Sequence, residues 1–296
     1  MNIQTDLTSG AAVRVKVNVA PGETRNLLVP LGISTPDQQP LGLEVSDGHL
    51  SLTTEGNTGQ RVGLIRPAPD ATAVTLDYRF GCHPSQYPES LFRAHDSRFS
   101  RVAADLLQAT EKAVPNAGPE AVAKVVAAVH ARFVYGHPEV RFNDGLDEIP
   151  YLACGVTEGS CVDINTYLVA CLRAAGIEAG YVTGYFFPAE KSGTCVDMHC
   201  WVVSRFNGVV QEWDIAHHLK LGKSPVVAGL NPKPGCRVAL FHSMGLSFKK
   251  LGVSDTKRLA EPVWVGDDGL MSRVGGDGLT IQMTEGFMHQ PFARQS

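Results

Sequence analysis

The sequence predicts an α+β protein in which a helical block packs on an antiparallel sheet and a small all-β region comes first. Three observations carry this. Short apolar-polar alternations broken by Gly and Pro fill the first 80 residues, helical periods fill much of 98–176, and strand-like runs return after Gly176.

In the first region "VRVKVNV" alternates Val13, Val15, Val17 and Val19 with polar partners, and "AVTLDYRF" does the same with Val74, Leu76, Tyr78 and Phe80. "LEVSDGHLSL" carries an Asp47-Gly48 turn between apolar runs. Such short strands suit a β-sandwich or barrel over 1–80. Residues 81–97, "GCHPSQYPESLFRAHDS", have two prolines and no period, and read as a linker. Residues 98–296 form the expected second domain.

Two helical patterns open that domain. "SRFSRVAADLLQATEKAV" sets Phe99, Val102, Leu106, Leu107 and Ala109 near one face. In "GPEAVAKVVAAVHARFVYG", Gly118 can cap the start, Pro119 takes the first helical position, and the pattern ends near Gly136. The irregular stretch from His137 to Gly159 is longer than ordinary connections, which points to a site-building loop. "SCVDINTYLVACLRAAG" is the third helix. Ser160 and Asp163 suit a capping-box-like exchange, Ile164, Leu168, Cys171, Leu172 and Ala175 repeat at helical spacing, and Gly176 suits a left-handed end. Strands follow in "AGYVTGYFF", "MHCWVVSRF" and "VVQEWDI", then around "CRVALF", "GLSFKKL", "PVWVG" and "LTIQM".

Composition narrows the function classes. The net charge is -4 with no run of Lys or Arg, so neither nucleic acid nor an anionic membrane is expected as a partner. No apolar stretch is long enough to span a bilayer, the N-terminus lacks a signal-peptide pattern, and the seven cysteines are odd in number and scattered. A cytoplasmic protein with at least one free thiol is the expectation.

Cys161 is the first residue of the third helix. A helix N-terminus favours the thiolate, which is the nucleophilic form, although a lone buried thiol is more often inert core. Cys171, deep in the apolar stripe, reads as that inert kind. The decisive feature lies downstream. Asn207-Gly208 suits a two-residue type I′ turn, which pairs Phe206 with Val209, Trp201 with Asp214 and His199 with Ala216. His199 and Asp214 then become diagonal neighbours on one face, where a carboxylate can orient an imidazole. A thiol at a helix start, a histidine on a strand and an oriented carboxylate are the parts of a thiol acyl-transfer site.

"GSCVDINTYLVACLRAAGIEAGYVTGY", "MHCWVV" and "QEWDIAHHL" together resemble the transglutaminase-like superfamily over about residues 98–220, Tyr135 included. The family often has a proline after the third-motif aspartate, where this chain has Ile215. The resemblance implies a papain-like, transglutaminase-like core behind an N-terminal β domain. It also implies Cys161 as nucleophile, His199 as general acid and base, and Asp214 as the residue orienting His199. The expected substrate is an amide or peptide, with water or an amine as second substrate and no cofactor. Candidate oxyanion or substrate-binding groups are the Cys161 amide, Ser160, Trp201 and His217, with His217 and His218 read as near a solvated strand end. The competing readings are a zinc site using Cys195, His199 and His217, and a non-catalytic peptide-binding module on the same fold. Against zinc, His199 and Cys200 are adjacent on a strand and point to opposite faces.

Overall fold

In the computed structural model the described residues are 10–115, 118–153, 155–195 and 198–285. They form a mixed α and β molecule with two five-stranded sheets, a four-stranded sheet, two small two-stranded sheets and four α-helices.

The two five-stranded sheets lie face to face. One runs Thr194–Cys195, Leu279–Glu285, Gly10–Asn18, Ala73–Gly81, Gln39–Ser46, and the other Met271–Arg273, Val263–Val265, Asn26–Pro30, Arg61–Pro67, Gly48–Thr54. The alternating residues read from the sequence close on one another: Val13, Val15, Val17, Val74, Leu76 and Tyr78 pack with Leu27, Val29 and Ile65 in one buried cluster. This is the sandwich expected of inward-facing residues with period two.

Two features of this region differ from the sequence reading. Asp47, at φ 60°, and Gly48 do not close a hairpin; the strands on either side belong to different sheets, so the pair turns a corner of the sandwich. The C-terminal runs also join the N-terminal strands. Leu279–Glu285 pairs with Gly10–Asn18, and Val263–Val265 pairs with Asn26–Pro30. A cut at residue 98 therefore does not partition the sheets, because one side of each N-terminal sheet is completed by later chain, Leu279–Glu285 with Thr194–Cys195 in one and Val263–Val265 with Met271–Arg273 in the other.

The helices sit on the four-stranded sheet, whose order is Val209–Trp213, Met198–Phe206, Glu178–Pro188, Gly235–His242, all antiparallel. The Cys161–Ala174 helix is the hub. Nearly all of its residues are buried, against Ala104–Ala113 and Pro119–Arg132 on one side and the sheet on the other. Gly176 follows at φ 73°, as a left-handed helix end requires. The first helix begins only at Ala104, and Leu107 is solvent-exposed rather than part of its buried face. The second stops at Arg132 and continues as the strand Phe133–Tyr135.

The stretch expected as a linker is docked rather than loose. Tyr87, Leu91 and Phe92 are buried with Val182, Trp201 and Val203 on the sheet face away from the central helix. Gly180 makes this possible, since a β-carbon there would collide with the Leu91 side chain and backbone. Among the described residues no helix is long and apolar enough to cross a membrane.

Candidate active site

The helix carrying Cys161 starts where it does because Ser160 and Asp163 close a capping box; the Asp163 carboxylate accepts from the Ser160 amide at 2.9 Å and from its hydroxyl at 2.6 Å. Asp163 is 1% exposed, and Arg141 donates to both its oxygens at 2.8 Å. Arg141 comes from the irregular segment between His137 and Gly159, so that segment does help to build the site.

The Asn207-Gly208 turn forms as expected, with φ 49° and 78° and with Phe206 opposite Val209 and Val202 opposite Trp213. Pairing then ends. Trp201–Asp214 and His199–Ala216 do not pair across the ladder, because Asp214 leaves the strand to cap a short helix, Ile215–Lys220, accepting from the His217 amide at 3.1 Å. The carboxylate nonetheless reaches His199. Its Oδ2 lies 2.8 Å from His199 Nε2, and both groups are buried.

With Nε2 engaged, Nδ1 is the nitrogen left for the thiol. Cys161 and His199 form a side-chain hydrogen bond, and both line a cleft of about 270 Å³. The Cys161 thiol is held well below its ordinary value of 9.0. A hydrogen bond from the Cys200 thiol is the largest single cause, burial opposes it, and the hydrogen bond and charge of His199 and the charge of Arg258 add to it. Burial alone would lower His199, but the charge and hydrogen bond of Asp214, followed by Cys161, raise it to about 9. Burial likewise opposes the ionised form of Asp214, yet His199 and then His217 hold it well below 3.8. All three shifts favour a thiolate beside an imidazolium. Cys171, by contrast, is pushed up to about 12 by burial, as its place in the stripe predicts.

The other expected site residues are dispersed. Ser160 lines the cleft, but its hydroxyl is committed to Asp163 and lies 3.1 Å from Arg141 Nη1. The Trp201 indole N–H is directed at the Tyr87 hydroxyl 3.5 Å away, in the layer behind the sheet, so it does not serve as an oxyanion donor. His217 stands behind His199, not in the cleft, stacked on it with centroids 4.1 Å apart, and its Nδ1 is 2.9 Å from Asn231 Oδ1 and 3.1 Å from Asp214 Oδ2. His217 and His218 are buried rather than solvated, since the short helix turns them inward. Cys195 is in the sandwich core, opposite Ile281, and does not join the cluster of His199, Asp214 and His217, whose ligand atoms lie within 4.8 Å of one another. Those atoms already satisfy one another and Asn231 by hydrogen bonds.

Sequence reasoning missed Cys200, Arg141, Tyr181 and Arg258, all of which line the cleft. For Cys200 the signal was adjacency to His199, set aside because neighbours on a strand point to opposite faces. The central helix lies on the Cys200 side, however, and brings Cys161 between the two. Cys200→Ala is expected to move the pH profile of Cys161 alkylation by iodoacetamide towards higher pH while leaving the plateau rate within about threefold. An unchanged profile would show that Cys200 does not hold the thiolate.

A sequence model of the transglutaminase-like superfamily matches residues 102–213. The chain carries a transglutaminase-like domain. Cys161, His199 and the strands up to Trp213 lie inside the match, and Asp214 is the next residue. The match supports a thiol-dependent function in general terms. Among solved structures, a candidate cysteine protease from Cytophaga hutchinsonii is 12% identical with a TM-score of 0.49, the alignment covering 93% of this chain and 97% of that one. The periplasmic domain of TgpA from Pseudomonas aeruginosa is 15% identical with a TM-score of 0.38, over 71% of this chain and 89% of that one. No curated protein matches the chain significantly in sequence.

Proposed function

We propose that the transglutaminase-like domain is a thiol enzyme acting on amides or peptides through Cys161, His199 and Asp214. The single observation behind this is the hydrogen-bonded Cys161–His199–Asp214 chain, with the thiol lowered and the imidazole raised, at the wall of an open cleft.

The Cys161 thiolate attacks the acyl carbon, and the carbonyl oxygen becomes an oxyanion. The Cys161 amide has no partner within its own helix at this first position and faces that charge as a donor. The His199 imidazolium gives its proton to the leaving nitrogen as the C–N bond breaks, which leaves a Cys161 thioester and a neutral imidazole. Asp214 holds His199 by Nε2 throughout, and His217, whose Nδ1 lies between Asp214 and Asn231 Oδ1, in turn braces Asp214. Water or an amine, deprotonated by His199, then takes the acyl group and returns the thiol. A cytoplasmic setting belongs to this proposal, on the grounds of composition.

The test is alkylation by iodoacetamide between pH 5 and 9, with the labelled residue read by peptide mass. Cys161 should react at neutral pH at least roughly tenfold faster than Cys171 or a free model thiol, with a profile nearly flat around pH 7. A Cys161 rate that rises with pH as an ordinary thiol's does would sink the proposal.

A further inference from the structure

Beside Cys161 the cleft wall is cationic, although the chain as a whole is acidic. Arg141, Arg258 and Arg273 line it, and among the described residues Glu261 is the one carboxylate that does. The cations are not equivalent. Arg141 is occupied twice over by buried Asp163 and also reaches Ser160, while Lys257 stands behind the wall 3.8 Å from the same carboxylate. Arg273 is paired with Glu261 at 3.6 Å. Arg258 has no carboxylate within ion-pairing distance among the described residues; Tyr181, Cys200 and Cys161 act on it electrostatically, and Glu261, itself paired with Arg273, acts on it less.

A second group points the same way. Tyr181 is 2% exposed and lines the same cleft, and its buried hydroxyl faces the Cys200 thiol, with no oxygen or nitrogen acceptor among the described residues. Sulfur is a weak acceptor, so a buried phenol O–H that meets only a thiol is poorly satisfied unless something else uses it. A guanidinium without an ion-paired carboxylate and a hydroxyl that meets only a thiol, on one wall beside the nucleophile, make a donor set that no carboxylate among the described residues satisfies. Its complement is an oxyanion carried by the substrate.

We infer that Arg258 and Tyr181 form an anion subsite next to Cys161, and that the substrate is an acyl compound with a carboxylate close to the reacting carbonyl. The carboxylate accepts from the Arg258 fork and from the Tyr181 hydroxyl, which orients the carbonyl towards Cys161. The inference rests on the proposed role of Cys161 as nucleophile, so its test separates the two. Arg258 is a specificity residue and takes no proton in the reaction.

Iodoacetate and iodoacetamide differ only in carrying a carboxylate or a neutral amide next to the same reactive carbon. In the full chain the iodoacetate-to-iodoacetamide rate ratio at Cys161 should exceed that of a small free thiol by at least roughly tenfold, the discrimination of about one charge-assisted hydrogen bond. Arg258→Gln should bring the ratio down to the free-thiol value within about twofold, Arg258→Lys should keep part of the preference, and Tyr181→Phe should give an intermediate loss. Because each variant is its own reference through the ratio, a change in thiolate content cancels, and iodoacetamide labelling reports that the variant is folded around its thiol. Protection from iodoacetamide identifies the source of the carboxylate. A capped Gly-Glu-Gly peptide is compared with its Gln twin, and acetyl-triglycine with a free C-terminus is compared with its amide. Better protection by either acid supports the subsite and assigns it to a side chain or a terminus. If Cys161 is reactive but the ratio is the same in the wild type and Arg258→Gln, the subsite is wrong and the nucleophile stands. If Cys161 is no more reactive than Cys171, both fall.

Discussion

His199→Ala should slow iodoacetamide alkylation of Cys161 at pH 7 by roughly a hundredfold, and turnover of any substrate found by about 10³-fold or more. Cys161 is desolvated, which by itself favours the neutral thiol, and His199 supplies both a hydrogen bond and a positive charge against that. With the imidazole gone, the Cys200 and Arg258 contributions remain while the largest nearby positive partner is lost. The alkylation profile should change from nearly flat to one rising through alkaline pH, reaching wild-type rates only above the ordinary thiol value. Turnover falls further than alkylation because the leaving nitrogen also loses its proton donor. A variant that kept its flat profile would mean that Cys161 owes its reactivity to the helix end, Cys200 and Arg258 without the imidazole.

Asp214→Ala should be the most destabilising change at the site, by about 3 to 5 kcal/mol. The carboxylate pairs with His199 at 2.8 Å, caps the Ile215–Lys220 helix through the His217 amide at 3.1 Å, and lies 3.1 Å from His217 Nδ1. Removing it strands the His199 Nε2 and His217 amide donors in a buried layer and leaves His217 Nδ1 with Asn231 Oδ1 alone. Asp214→Asn keeps the cap and the shape and should recover most of the stability, by denaturant melts, but not the activity, because the charge that raises His199 is gone.

The pH dependence of the difference between wild type and Asp214→Ala follows from the two shifts. His199 is raised from 6.5 to about 9, so its contribution is fully present below pH 6.5 and is lost as pH rises towards about 9. Asp214 is lowered well below 3.8, so its contribution is present above pH 3.8 and is lost as pH falls through its lower folded value. The stability difference should therefore be largest between about pH 4 and 6.5 and shrink on either side. Subtraction removes most of the Cys161 contribution, which runs the opposite way with pH. A difference that grew between pH 7 and 9 would contradict a raised His199.

Where the sequence reading and the structure diverge, the divergence has one pattern. The Asn207-Gly208 turn, the Ser160–Asp163 cap, the Gly176 helix end and the alternating N-terminal strands are all present, and each depends on residues within a few positions of one another. The Asp47-Gly48 pair was equally clear as a turn, but whether a turn joins two strands of one sheet or crosses to another depends on what each strand finds to pack against. The return of Leu279–Glu285 to Gly10–Asn18 spans nearly the whole chain and leaves no local trace in either segment.

The site divides the same way. By itself the sequence determined that Cys161 begins a helix and that His199 and Asp214 flank one hairpin, because caps and turns are local chemistry that propagates in register. The tertiary structure alone decided that Asp214 reaches His199 from a helix cap instead of a ladder position, and that His217 braces the pair from behind. It also decided that Cys200, Arg141, Tyr181 and Arg258 converge on the same cleft. These come from four separate segments: packing of the central helix on the sheet brings Tyr181 and Cys200 to Cys161, while Arg258 stands next to Leu259, which is buried in a different apolar cluster.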